Sequence, residues 1–327
     1  MKYFLISLSA IILFAGCSGK KYFEPEDTSS NIELNKESIS ASIVSMNKIG
    51  ATLDNNKVLT KNGISSFELP EGFEFLNTTE DGKIIATNYK NKILVGDQEK
   101  IVKDVVVAAS LKNGKLALIY SNNTIELIDF NSNKTLFKEY LPISLANDTR
   151  ITNPYFMGNL ILFPTLNGKV IIVSATNNES VKNIAVDPDN EFNNIISLNV
   201  IESTQTLIVA SPNKVVSISP KEVLSKEYDV RDIVINKENV YIATVDGHII
   251  KLTANLEEVA KKKYKYAKIH TLAFTDSLYA VESQGFLINI KEDFSQDTIY
   301  NFSFDNEERM IGIGNKIYFD SKYITLP

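Results

Sequence analysis

The sequence of 327 residues has 34 basic against 40 acidic side chains, and a net charge of −6 with no basic stripe offers nucleic acid no footprint. Its 44% apolar content is that of a packed globule, long enough for two ordinary domains or one large repeat fold. The single cysteine, Cys17, leaves no disulfide framework to account for.

Met1-Lys2 supplies one positive charge, and residues 3–15 are apolar or small apart from Ser7 and Ser9. Thirteen such residues are too few to cross a bilayer as a helix but suit the core of a secretory signal. The run closes on Phe14-Ala15-Gly16-Cys17, which resembles the lipobox of bacterial lipoproteins with Phe14 in place of the usual Leu. The resemblance implies a signal peptide over 1–16 and a lipid on Cys17. With Ser18 rather than Asp after the cysteine, it also implies sorting to the outer membrane. Several acyl chains anchor far more firmly than one. Loss of residues 1–16 removes one lysine and takes the net charge from −6 to −7. Residues 18–42 are polar with little periodicity and read as a tether, with the folded body beginning at residue 38. About twenty-five such residues would hold the body some 25–30 Å from the lipid.

From residue 43 onward, short apolar runs and period-two alternation dominate, and no helical stripe is visible. The runs come in pairs around polar turns, as in "KVLTKNGISSFEL", "KLALIYSNNTIELIDF", "NLILFPTLNGKVIIVSA" and "NVYIATVDGHIIKL". Asn62-Gly63, Asn167-Gly168 and Asp246-Gly247 are dipeptides that predict type I′ hairpins, in which both central residues have positive φ. The second turn residue recurs at 63, 91, 123, 168, 213, 247, 285 and 322, giving intervals of 28, 32, 45, 45, 34, 38 and 37. A period near 37 with one strong hairpin and two flanking strands predicts a four-stranded propeller blade. The expected fold is therefore all-β, an eight-bladed β-propeller, with seven blades as the alternative because the first interval is short. The sequence stops soon after its last hairpin, so residues 38–46 are expected to pair beside residues 323–326 and close the ring.

Chemistry is sparse. Two histidines, His248 and His270, and carboxylates in "IKEDF" and "FDNEE" without calcium-loop spacing give no metal site. No nucleophile elbow, phosphate loop or dinucleotide fingerprint appears, so no catalytic residue and no cofactor are assigned. Of three arginines, Arg150 and Arg231 fall in inter-blade loops, where each either meets a partner or pairs with a neighbouring Asp148 or Asp232. Phe192, in the long excursion "VDPDNEFNN", is either an exposed anchor or a cap on its own blade.

The hairpins ending in "GKVIIVSA", "GHIIKLTA" and "NTIELIDFNSNKTLF" look like the repeat of pyrroloquinoline-quinone-type propellers, with Phe137 where the repeat's tryptophan would dock. The sequence has no Trp, which argues against a quinone enzyme. A lipobox, a short tether and eight blades together resemble the BamB-type lipoproteins. These are accessory subunits of the outer-membrane β-barrel assembly machinery that bind its Omp85-type subunit. "NDTRITNPYFMGNLILFPTLNGKVIIVSA" and "YDVRDIVINKENVYIATVDGHIIKL" are similar to family segments whose loops contact that subunit, which marks Arg150 and Asp229 as partner-binding. Arg231 stands where the family has an Asp. The resemblance implies a non-enzymatic scaffold on the periplasmic side of the outer membrane, held by its lipid, with unfolded outer-membrane proteins as possible clients. The alternative is a propeller that binds a glycan or small ligand in its central channel.

Overall fold

A computed structural model describes residues 21–29, 34–144, 147–190, 192–304 and 309–327. The described residues form eight four-stranded antiparallel sheets and no helix. Seven blades are consecutive: 43–68, 74–101, 106–140, 155–185, 197–227, 230–263 and 269–301. The eighth combines three C-terminal strands, Met310–Ile313, Lys316–Phe319 and Lys322–Thr325, with Glu37–Ser38 from the N-terminal side. The eight-bladed expectation holds.

The sequence pattern follows from how the blades stack. The second and third strands of a blade are covered on both faces by neighbouring blades, so they read as continuous apolar runs. Lys115–Tyr120 and Thr206–Ala210 are buried almost throughout, whereas the outermost strand Gly63–Glu68 alternates between half-buried and exposed. The core consists of clusters between successive blades. In one, Ile119, Ile125 and Leu127 of blade 3 meet Ile161, Phe163 and Ile171 of blade 4, with Phe137 packed against them.

Three expectations are corrected. Ring closure uses only Glu37–Ser38, paired with Tyr323 and Lys322, whereas Ile43–Asn47 is the innermost strand of blade 1. Residues 39–42 turn the backbone from the rim to the channel, and one strand cannot fill both places. The hairpins at Asn62-Gly63, Asn167-Gly168 and Asp246-Gly247 are not type I′, because only the glycines have positive φ. At the last of these, Gly247 N–H donates to Thr244 C=O (3.0 Å), a type I turn followed by a left-handed residue. At Asn167-Gly168 and Asp246-Gly247 the threonine two residues before the Asn or Asp locks this form. Thr165 Oγ1 donates to Asn167 Oδ1 (2.7 Å) and accepts from Lys169 N–H (3.0 Å), and Thr244 does the same with Asp246 and His248. Finally, the Asn62-Gly63 turn joins the third and fourth strands of blade 1, whereas its counterparts join the second and third. The equivalent turn of blade 1 ends at Asn56 (φ 62°), 35 residues before Asn91, which removes the anomalous first interval.

The region read as a tether is docked over its described part. Phe23 is buried, edge-on to Tyr264 (6.1 Å) and Phe286 (5.6 Å), and Ser29 N–H donates to Ile299 C=O on the rim of blade 7 (2.8 Å). Cys17 and the signal segment lie outside the described residues.

Candidate functional site

In this ring each blade's outermost strand leads to the innermost strand of the next, so the strand ends that the connectors join lie on one face. The described parts of the two longest connectors, 141–154 and 186–196, meet there. Asn194, fully buried, ties them together: it accepts from Asp148 N–H (2.7 Å) and donates to Arg150 C=O (2.9 Å) and Asp148 C=O (3.2 Å). The loop that carries Arg150 is thereby held by a side chain from the next connector.

Arg150 donates to both oxygens of Asp148, from Nε (2.8 Å) and Nη2 (2.6 Å). Its Nη1 crosses to blade 6 and donates to Val230 C=O (2.9 Å) and Arg231 C=O (2.7 Å). Arg231 in turn donates from Nε to Ile269 C=O of blade 7 (2.9 Å), and Arg309 donates from Nη1 to Ile43 C=O of blade 1 (3.3 Å). Val230, Ile269 and Ile43 occupy the same place in their blades: each precedes a β-bulge in an innermost strand, where the register slips by one residue. A bulge leaves a backbone group without its ladder partner. All three arginines of the protein satisfy such carbonyls on other blades.

They share one cavity in the channel, of about 460 Å³, with Lys48, Asp148, Asp232 and His270, and with apolar walls that include Ile196, Ile233 and Met310. Lys48 reaches across to Asp232 (2.5 Å), whose other oxygen accepts from Leu272 N–H (2.7 Å). Burial alone would raise the Asp148 carboxyl, but the hydrogen bonds and charge of Arg150, with Arg231 beyond, hold it below its ordinary value. Burial lowers the pKa of His270, and the neighbouring Arg231 lowers it further. The opposite mouth of the channel is a separate cavity of about 720 Å³ at the far ends of the innermost strands, lined by Asn77, Lys112, Tyr155 and Glu202 among others.

The structure thus places all four candidates on the connector face. Arg150 pairs with Asp148, as the local alternative had it, yet also spans two blades. Arg231 does not pair with Asp232, which Lys48 takes. Asp229 is exposed beside them, with its backbone carbonyl accepting from Val245 N–H (2.8 Å). Phe192 is 51% exposed on the outer part of the same face, and its carbonyl accepts from Asn213 (2.9 Å). Sequence reasoning missed Arg309, Lys48 and His270. The signal for Arg309 was present, because "RMIGI" repeats the arrangement of "RDIVI", an arginine opening an innermost strand.

Buried acids elsewhere have structural partners. Glu126 accepts from Tyr120 (2.7 Å) and Thr135 (2.7 Å), Asp187 from Ser211 (2.6 Å), and Glu282 from Gln284 N–H (2.7 Å). Among the described residues no group of three or more His, Cys, Asp or Glu is placed to hold a metal ion.

No family model matches the sequence. It is 27% identical over 385 aligned residues to the plasminogen-binding protein PgbB of Helicobacter pylori strain J99, an alignment covering 99% of this chain and 71% of that protein. Among solved structures, BamB from Moraxella catarrhalis superposes with a TM-score of 0.68 at 12% identity, over 89% of this chain and 98% of that one. Saccharomyces cerevisiae Sqt1 superposes with a TM-score of 0.61, also at 12% identity, over 91% and 99%. At such identities these likenesses establish the shared architecture, a BamB-like β-propeller.

Proposed function

We propose that the protein is a non-enzymatic scaffold, anchored by a lipid on Cys17 at the periplasmic side of the outer membrane, that docks a protein partner on its connector face. The partner in this reading is the Omp85-type subunit of the β-barrel assembly machinery. The observation that carries the proposal is the preorganisation of that face. Arg150 is fixed by four donor contacts on a loop held by the buried Asn194, and Asp229 and Phe192 stand exposed beside it. Charged groups held in place beforehand lose little freedom on binding and set orientation and specificity. The BamB-like architecture supports the same reading.

The test is crosslinking and co-purification from outer membranes of wild type, Arg150→Glu and Asp229→Lys. Recovery of the Omp85-type subunit with wild type, and its loss with Asp229→Lys in a protein that still folds, supports the proposal. Absence of that subunit from the wild-type sample overturns it. A second reading, that the face captures plasminogen, is favoured by the sequence similarity to PgbB along 99% of this protein. Binding of plasminogen to the purified lipid-free protein, abolished by the same substitutions, would move the function there.

A further inference from the structure

We propose that the arginine-lined channel cavity is a binding site for a small dianion with an apolar body, of the dicarboxylate or phosphomonoester class. The inference goes beyond the docking of a protein partner and does not depend on which partner that is.

The arginines divide into two roles. A guanidinium has five N–H donors. Arg150 places its Nε, Nη1 and Nη2 on Asp148 and two backbone carbonyls, so it is a latch. Arg231 and Arg309 each place a single nitrogen on a carbonyl, and their other donors have no acceptor among the described residues. That one contact orients each side chain, and both line the same cavity. An arginine anchored this way presents a planar fork suited to carboxylate or phosphate oxygens.

The charge of the cavity points the same way. Its described lining holds Lys48, Arg150, Arg231 and Arg309 against Asp148 and Asp232, an excess of two positive charges. Two of these cations are neutralised locally, by the Arg150–Asp148 and Lys48–Asp232 pairs. Among the described residues the excess therefore resides on Arg231 and Arg309. His270 lies in the same wall, with its Nε2 buried and without a hydrogen-bond partner among the described residues. The volume of about 460 Å³ is within the range of small-molecule sites. Met46, Ile196, Ile233 and Met310 on its wall provide for an apolar body rather than a bare ion.

With two histidines in the protein, one of them in the cavity, the imidazole ¹H–¹⁵N spectrum is a direct reporter. His248 lies beside Asp246 at the turn between the second and third strands of blade 6 (2.9 Å) and serves as the internal control. The full-length body is titrated with glutarate and, separately, with phenyl phosphate, each against sodium chloride of equal ionic strength. A saturable shift of the His270 signals alone is expected. The probe that binds more tightly identifies the dicarboxylate or the phosphomonoester arm. Arg231→Gln or Arg309→Gln should weaken that binding about tenfold, the loss of one charge-assisted fork. Either variant suffices if the other does not fold, and the wild-type titration stands without both. No saturable His270 shift with either probe, the same shift with chloride, or unchanged affinity in a folded Arg231→Gln protein would overturn the proposal.

Discussion

Replacing Asn194 by alanine tests whether the connector face is held from beneath. The side chain is fully buried and serves three backbone groups: Asp148 N–H, Arg150 C=O and, at longer range, Asp148 C=O. Two good hydrogen bonds contribute about 0.5–1.5 kcal/mol each, and leaving their backbone partners poorly solvated adds to the loss, for a total of about 2–4 kcal/mol. For a domain of this size that corresponds to a fall in Tm of roughly 3–7 °C. Urea unfolding of wild type and Asn194→Ala, compared at unchanged m-value, reads the difference directly. Asn194→Asp should be at least as damaging, because a carboxylate oxygen would then face the two carbonyls that the amide now serves. A loss below about 0.5 kcal/mol for both variants, within the range of an ordinary surface change, would refute the claim that Asn194 holds the Arg150 loop.

Other outcomes follow from the same geometry. A Cβ at Gly168 (φ +73°) would lie 2.3 Å from Asp187 C=O, whereas one at Gly63 (φ +93°) meets nothing. Gly168→Ala should therefore cost about 1–3 kcal/mol more than Gly63→Ala in chemical unfolding, since both share the φ strain and only one clashes. His270 has a folded pKa below its ordinary 6.5, so the unfolded state takes up the proton first. Its contribution keeps stability level above pH 6.5 and lowers it as pH falls from there toward the folded pKa. His270→Gln should remove that part of the slope when unfolding is measured between pH 7 and 5. Phe23→Ala should free residues 21–29 from Tyr264 and Phe286, seen as faster amide exchange and proteolysis of that segment while the blades remain protected.

The blades were legible because stacking leaves its mark on composition. A strand covered on both faces must be apolar at every position, and the turns between such strands must be polar, so "KLALIYSNNTIELIDF" announces a hairpin and its burial together. The turn type was not legible from Asn-Gly or Asp-Gly alone, since both loop forms accept them. The threonine two residues earlier decides, and its hydroxyl contacts show why. Closure was misread because residues 38–46 offer one apolar run for two places, and only the paired geometry assigns it to the channel. At the site, Arg150 and Arg231 stood out by rarity. Their acceptors are carbonyls at β-bulges more than thirty residues away, and a register slip leaves no residue-type signature. Arg309 and His270 were separated from them by whole blades and joined only by the ring.

The central claim, that the connector face is a protein-docking surface, is tested most directly by photo-crosslinking in living cells. A photoreactive side chain would be placed at Phe192 or Asp229 on that face, and at Lys112 or Glu202 around the opposite mouth. Docking on the connector face predicts one shared protein adduct, the Omp85-type subunit, from positions 192 and 229 and none from 112 and 202. Adducts confined to 112 and 202, or none from either face, would contradict it.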